Sequence, residues 1–161
     1  MTDFKNIYQF KVRGLTSGEI NFADYKGKKI MIVNVASECG FTPQYQQLQE
    51  LHEQCGDRIQ IIAFPCNDFG QQEPAEPQDI QQFCATRYKV SFPLAEKVNI
   101  KGTDPHPIYQ WLTRKELNGV LNSEVEWNFQ KYLIDEKGQL LKSCPPAMSP
   151  IDESILHWVM N

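Results

Sequence analysis

Five cysteines, Cys39, Cys55, Cys66, Cys84 and Cys144, carry the most reactive side-chain chemistry available to this 161-residue chain. Cys39 is set apart by its neighbours. It follows Ile30-Met31-Ile32-Val33, an apolar, β-branched run of the kind that fills a strand buried on both faces. Shortly after it come Thr42, a good N-cap, and Pro43, favoured at a first helical position because its missing N–H costs nothing there. Tyr45, Leu48 and Leu51 then recur at helical spacing until Gly56 offers a stop. A cysteine between a buried strand and a helix start meets unpaired backbone N–H groups and the positive end of the helix dipole, which favour thiolate over thiol. The chemistry expected is nucleophilic attack by sulfur.

Rival readings of Cys39 are weaker. A dithiol oxidoreductase carries C-x-x-C, whereas the fourth position here is Thr42, giving C-G-F-T. No two cysteines stand at zinc-binding spacing, and His52, His106 and His157 are scattered. A lone cysteine is ordinarily a small buried hydrophobe. The helix-entry context favours reactivity instead.

The elements that must position this sulfur can be read in order. Tyr8–Val12 and Glu19–Phe22 are short strands of an N-terminal hairpin, with turns near Gly14 and at Tyr25-Lys26-Gly27. The Cys39 strand and helix lead to Ile59–Phe64, a second continuous apolar run. Strand, helix and strand therefore form a parallel βαβ unit with a right-handed crossover. Residues 65–77 are a long loop of the sort that more often carries function than idles. Pro77 opens a helix to about Tyr88, with Ile80, Phe83 and Cys84 on its apolar face.

Residues 91–101 are extended, and Pro105 or Pro107 starts a short helix bearing Ile108, Trp111 and Leu112. After a connector over 117–126, strands Phe129–Ile134 and Gln139–Ser143 form a hairpin through Asp135-Glu136-Lys137-Gly138. Ser149-Pro150 caps a last helix with Ile151, Ile155, Leu156 and Val159 inward. The order predicts an α/β protein of thioredoxin-like fold, a central mixed sheet flanked by helices, in one domain over residues 1–161.

Composition sets bounds on function. A formal net charge of −4 argues against nucleic acid as partner. No apolar run approaches the roughly 20 residues a membrane helix needs. The start, MTDFKNIYQF, shows no apolar signal segment, and an odd number of cysteines suits thiols in a reducing compartment. A cytoplasmic protein is expected.

Three motifs then give a specific resemblance. NVASECGFTPQY (34–45) resembles the active-site signature of the glutathione peroxidase family, FPCNDFGQQEP (64–74) its second signature and WNFQKYLID (127–135) its third. They stand in the family's order, and the similarity spans essentially the whole chain. It implies a cysteine-based peroxidase acting on hydrogen peroxide and organic or lipid hydroperoxides, with a catalytic tetrad at Cys39, Gln72, Trp127 and Asn128. Their chemistry suits that role, since an indole N–H and two amides can steady a thiolate or the oxygen leaving the peroxide. A tryptophan beside a strand is otherwise ordinary core, and a loop glutamine is otherwise solvated.

FCATRYKVSFP (83–93) resembles the segment where thioredoxin-dependent members hold a resolving cysteine, here Cys84. The resemblance implies a Cys39 sulfenic acid, a Cys39–Cys84 disulfide and regeneration by thioredoxin. A disulfide needs Cα atoms within roughly 7 Å, so the Pro77–Tyr88 helix is expected to unwind locally during turnover. Cys55 and Cys66 read as structural. Relatives commonly carry an arginine and an aromatic residue where this chain has Ser143 and Cys144, which weakens a dedicated glutathione site. Asp68 replaces the usual glutamine and adds a carboxylate near the site.

No cofactor or metal is expected, only an external thiol reductant, thioredoxin or glutathione. Residues 91–126 lack the long insertions of tetrameric members, so a monomer is expected, with Trp111 and Phe92 as either core or exposed contacts. The alternatives are a peroxidase using glutathione alone, and a redox sensor or relay that passes its disulfide to a partner.

Overall fold

The strands β3 (Lys29–Val35) and β4 (Ile59–Pro65) are buried at every position and pair in parallel along seven residues, from Lys29 opposite Ile59 to Val35 opposite Pro65. Their near-continuous apolar sequences suit a sheet covered on both faces. The computed structural model describes residues 6–161. It extends this pair with β5 (Lys131–Ile134), antiparallel to β3, and β6 (Leu140–Cys144), antiparallel to β5, giving the order β4-β3-β5-β6. The edge of β4 is not left open. Ala63 forms a parallel bridge with Leu94, and Val98 donates to the Pro65 carbonyl at 2.9 Å, so residues 93–98 run along it.

Alternation along the strands divides the core into two layers. On one face Met31, Val33, Val35 and Ile61 meet Tyr45, Leu48 and Leu51 of α1 (Gln44–Cys55), Ile80 of α2 (Pro77–Phe83), and Ile155 and Val159 of the C-terminal helix. On the other, Ile30, Ile32, Ile62 and Phe64 meet Ile108, Trp111 and Leu112 of α3 (Pro107–Thr113), with Val12 and Ile20 from the N-terminal hairpin. Each such side chain, fully removed from water, contributes about 1.5–3 kcal/mol. Trp111 and Phe92 are both core, at 2% and 3% exposure. A one-turn helix α4 (Lys115–Asn118) follows α3 and ends at Gly119. Trp127 packs against both layers.

The fold class and the N-terminal hairpin agree with the sequence reading, and several boundaries differ for local reasons. The first strand is only β1 (Lys11–Arg13), because the Asn6 side chain accepts from the Tyr8 amide and starts a 3₁₀ turn over Ile7–Gln9. Likewise β2 (Glu19–Asn21) stops one residue early, where Asn21 caps a second 3₁₀ turn at the Ala23 amide. The last helix, α5, is Glu153–Met160, capped by Asp152 at the Ser154 amide rather than by Ser149-Pro150, and Leu156 faces outward. The helix expected over 77–88 is α-helical only to Phe83; Cys84–Tyr88 form a π turn that ends on Lys89 with φ of 55°. Among the described residues no helix is long and apolar enough to cross a membrane.

Candidate active site

Cys39 lies in the loop between β3 and α1, 8% exposed. The loop is closed by Thr42, though not as the N-cap the sequence suggested. Its hydroxyl accepts from the Cys39 amide at 2.9 Å and donates to the Ala36 carbonyl at 2.8 Å, so it bridges the loop across its neck. The cap position belongs to Pro43 and the helix begins at Gln44. A hydroxyl engaged across the loop is not available to the first turn of the helix. The Cys39 amide is thereby occupied, and the donor that reaches the sulfur is the Phe41 amide, 3.3 Å from Sγ. A backbone N–H aimed at sulfur stabilises negative charge as it develops there.

Two further loops are fastened to this one. The Glu38 amide, next to Cys39, donates to the Gln72 carbonyl at 3.0 Å. Gln72 is joined in turn to Asn128, whose Nδ2 donates to Gln72 Oε1 at 3.0 Å and to the Phe69 carbonyl at 3.2 Å. That orientation leaves the Gln72 amide hydrogens without a hydrogen bond among the described residues. The indole of Trp127 lies on the same loop. At Gly70, with φ of 72°, a Cβ would stand 2.8 Å from Trp127 Cη2 and 3.3 Å from Gln72 Cδ. Only glycine accepts both that backbone conformation and that approach. Gln72, Trp127 and Asn128 are thus brought together beside the Cys39 loop.

Asn34, near the end of β3, fixes the third segment. Its Nδ2 donates to the Trp127 carbonyl at 3.1 Å, and its own carbonyl accepts from the Phe129 amide at 2.6 Å. Phe129 is held there at φ of 69°. An asparagine in an otherwise apolar strand was the available signal.

Cys84 is fully buried in the same core layer as Cys39, at the first position of the π turn. Burial pushes its thiol up to about 11, and the nearby Glu73 carboxyl acts in the same direction. Cys66 is likewise buried and pushed up to about 12. Cys55 and Cys144 are buried too, and all five cysteines are unpaired. The Asp68 carboxyl acts on the neighbouring Cys66 thiol, adding to the effect of burial in raising it. Its Oδ2 accepts from the Ile100 amide at 2.6 Å and the Lys101 amide at 3.0 Å, tying the loop to residues 100–101.

Comparison with known proteins now decides the family. The glutathione peroxidase family model matches residues 7–113. A glutathione peroxidase of Lactococcus lactis is 40% identical over 90% of this chain and 92% of its own length. The chain belongs to the glutathione peroxidase family. It is an oxidoreductase of the peroxidase type. A hydroperoxy fatty acid reductase of Synechocystis is 44% identical over 84% of each chain. The crystal structure of Trgpx in its apo form superposes with a TM-score of 0.72 at 31% identity, covering 97% of this chain and 96% of that one. A thioredoxin-family thiol:disulfide interchange protein from Chlorobium tepidum, at 14% identity, shares the fold with a TM-score of 0.64 over 94% of this chain and 93% of its own. In this family member the thioredoxin-like sheet presents Cys39 after β3 ends, and the loop after β4 is fastened beside it through Glu38 and Gln72.

Proposed function

We propose that this peroxidase reduces hydrogen peroxide and organic hydroperoxides, lipid hydroperoxides included, through Cys39. The thiolate attacks the terminal peroxide oxygen; the O–O bond breaks, the sulfur becomes sulfenic acid, and the departing alkoxide or hydroxide takes up the proton the thiol gave up on ionising, leaving as alcohol or water. Gln72, Trp127 and Asn128 steady the charge passing from sulfur to the leaving oxygen. The observation carrying this reading is the hydrogen bond from Glu38 to Gln72, which fastens the donor-bearing loop beside a sulfur that already receives the Phe41 amide. The fatty-acid hydroperoxide named for the Synechocystis relative supports the substrate class.

Cys84 is the resolving thiol. It condenses with the sulfenic acid to a Cys39–Cys84 disulfide and water, which thioredoxin then reduces. Its burial at the head of a π turn supports local remodelling of 77–88 as part of the cycle. In the same reading, residues 1–161 are one domain that acts as a monomer in the cytoplasm. It has no resident cofactor and no nucleic-acid partner, and takes electrons from an external thiol. Five unpaired thiols are in keeping with a reducing compartment.

The test is peptide mass spectrometry after one equivalent of peroxide, paired with steady-state turnover on thioredoxin and on glutathione. A single Cys39–Cys84 bridge and turnover on thioredoxin are expected. A bridge from Cys39 to Cys66, or turnover on glutathione alone, overturns the resolving assignment.

A further inference from the structure

Glu73 is fully buried, and neither of its carboxyl oxygens has a hydrogen-bond partner among the described residues. Two more buried oxygens in the same region are also unpartnered, the hydroxyls of Ser37 and Tyr45. A native interior rarely tolerates one such group, and an unpaired buried carboxyl is the most costly kind. The four atoms lie where the two cysteine-bearing segments meet. Ser37 is two residues before Cys39, and its hydroxyl and amide face the Glu73 carboxyl. Tyr45, in the first turn of α1, sets its hydroxyl against the Cys84 thiol within electrostatic reach of Glu73.

The charged groups around this cluster come from every packed element. Lys97 approaches Glu73 from the segment beside β4 but gives its ammonium to the Ala75 carbonyl at 2.8 Å. Glu38 comes from the Cys39 loop and Tyr88 from the end of the π turn. Burial holds the Glu73 carboxyl above the usual carboxylate range, while Ser37 and then Lys97 oppose that. A buried carboxyl facing unpartnered hydroxyls is placed to exchange protons with them.

We propose that Glu73 is the proton acceptor for the Cys84 thiol in disulfide formation, with the Tyr45 hydroxyl as relay. The proposal rests on Cys84 as the resolving thiol. In the step, the Cys84 S–H bond breaks and its proton passes through Tyr45 to the Glu73 carboxylate. The Cys84 sulfur attacks the Cys39 sulfur; the S–S bond forms and the Cys39 S–O bond breaks. The departing hydroxide takes the proton back from Glu73 by way of the Ser37 hydroxyl and leaves as water. Cys84 is oxidised, the sulfenic sulfur is reduced, and Glu73 ends as it began.

The test uses the full chain and rapid quench with thiol alkylation and mass spectrometry, which follow Cys39 oxidation and bridge formation separately across a pH series. In Glu73→Gln the ratio of bridge-formation rate to oxidation rate should fall by at least about tenfold, and the pH dependence of bridge formation seen in the wild type should flatten. Tyr45→Phe, which keeps the packing, should lower the same ratio and serves if the Gln variant does not fold. An unchanged ratio overturns the proposal, as does a slower step with the wild-type pH profile, which would mark Glu73 as structural only. If the wild type instead bridges Cys39 to Cys66, the resolving assignment fails first, and the wild-type peptide map alone reveals that.

Discussion

Around Cys39, hydrogen bonds tie the loop across its neck and to two neighbouring loops, through Thr42, Glu38 and Asn34. Around Cys84 the pattern is reversed. The helix changes to a π turn at the cysteine itself, the chain leaves through a left-handed lysine, and the nearest polar side chains lack partners. The loop bearing one sulfur is tied to its neighbours by hydrogen bonds, whereas the segment bearing the other is held mainly by packing. A nucleophile that meets a diffusing peroxide benefits from fixed donors. A thiol that must travel to it benefits from a segment that opens at low cost.

The contrast breaks most completely at the first sulfur. Cys39→Ser should abolish peroxide reduction in a folded protein, because a hydroxyl without an adjacent base is a poor nucleophile. Peroxide consumption by the purified variant checks this, and retained activity would move the nucleophile elsewhere. Cys84→Ser should behave differently. It should consume one equivalent of peroxide at the wild-type rate, stop at sulfenic acid and lose turnover on thioredoxin. Single-turnover and steady-state assays on one preparation separate the two roles. Normal turnover on thioredoxin would return Cys84 to the core.

Smaller effects sharpen the same comparison on its fixed side. Trp127→Phe keeps most of the packing and removes the indole donor, so Cys39 oxidation should slow by about tenfold or more, with little loss of stability. An unchanged oxidation rate would make Trp127 a packing residue alone. Gly70→Ala forces a side chain into φ of 72° and against the Trp127 ring. A loss of about 1–3 kcal/mol in denaturant unfolding is expected. Stability equal to the wild type would mean that the ring moves aside freely.

The two regions were not equally legible in the sequence. The β3 and β4 runs, the Pro77 helix start and the position of Cys39 follow from local patterns, and the structure places each of them so. Thr42 misled because two uses of one hydroxyl compete, capping a helix or closing a loop, and the choice depends on Ala36 and Cys39 being folded back onto it. Asn34 interrupts an apolar strand, and Glu73 is an acid in a long loop. Their burial arises only when segments distant in sequence assemble over the sheet. The π turn at Cys84 has no periodicity distinct from the helix before it, so nothing local announced it.

The last expected effect, seen only as a change with pH, tests how the fixed side is anchored. Lys131, on β5, is fully buried and donates to Gln44 Oε1 at 2.5 Å, to the Pro146 carbonyl at 3.0 Å and to the Met148 carbonyl. It therefore clamps the first residue of α1, next to the Cys39 loop, onto the sheet. Burial pushes its amine down to about 7, well below its ordinary value, despite the nearby Cys144 acting in the opposite direction. The folded state thus binds this proton less readily than the unfolded chain between about pH 7 and the ordinary lysine range. Where the unfolded chain holds more protons, stability rises with pH. The contribution is fully present above the unfolded pKa, is lost as pH falls towards about 7, and levels off below that. Lys131→Met removes this titration and little else that titrates. The difference in unfolding free energy, wild type minus variant, should therefore climb by about 1 kcal/mol per pH unit between pH 7 and 10. Denaturant unfolding of both proteins across that range measures it. A difference that stays flat would show that the three carbonyl oxygens hold the ammonium charged throughout, so that the anchor is an ionic one rather than a buried neutral amine.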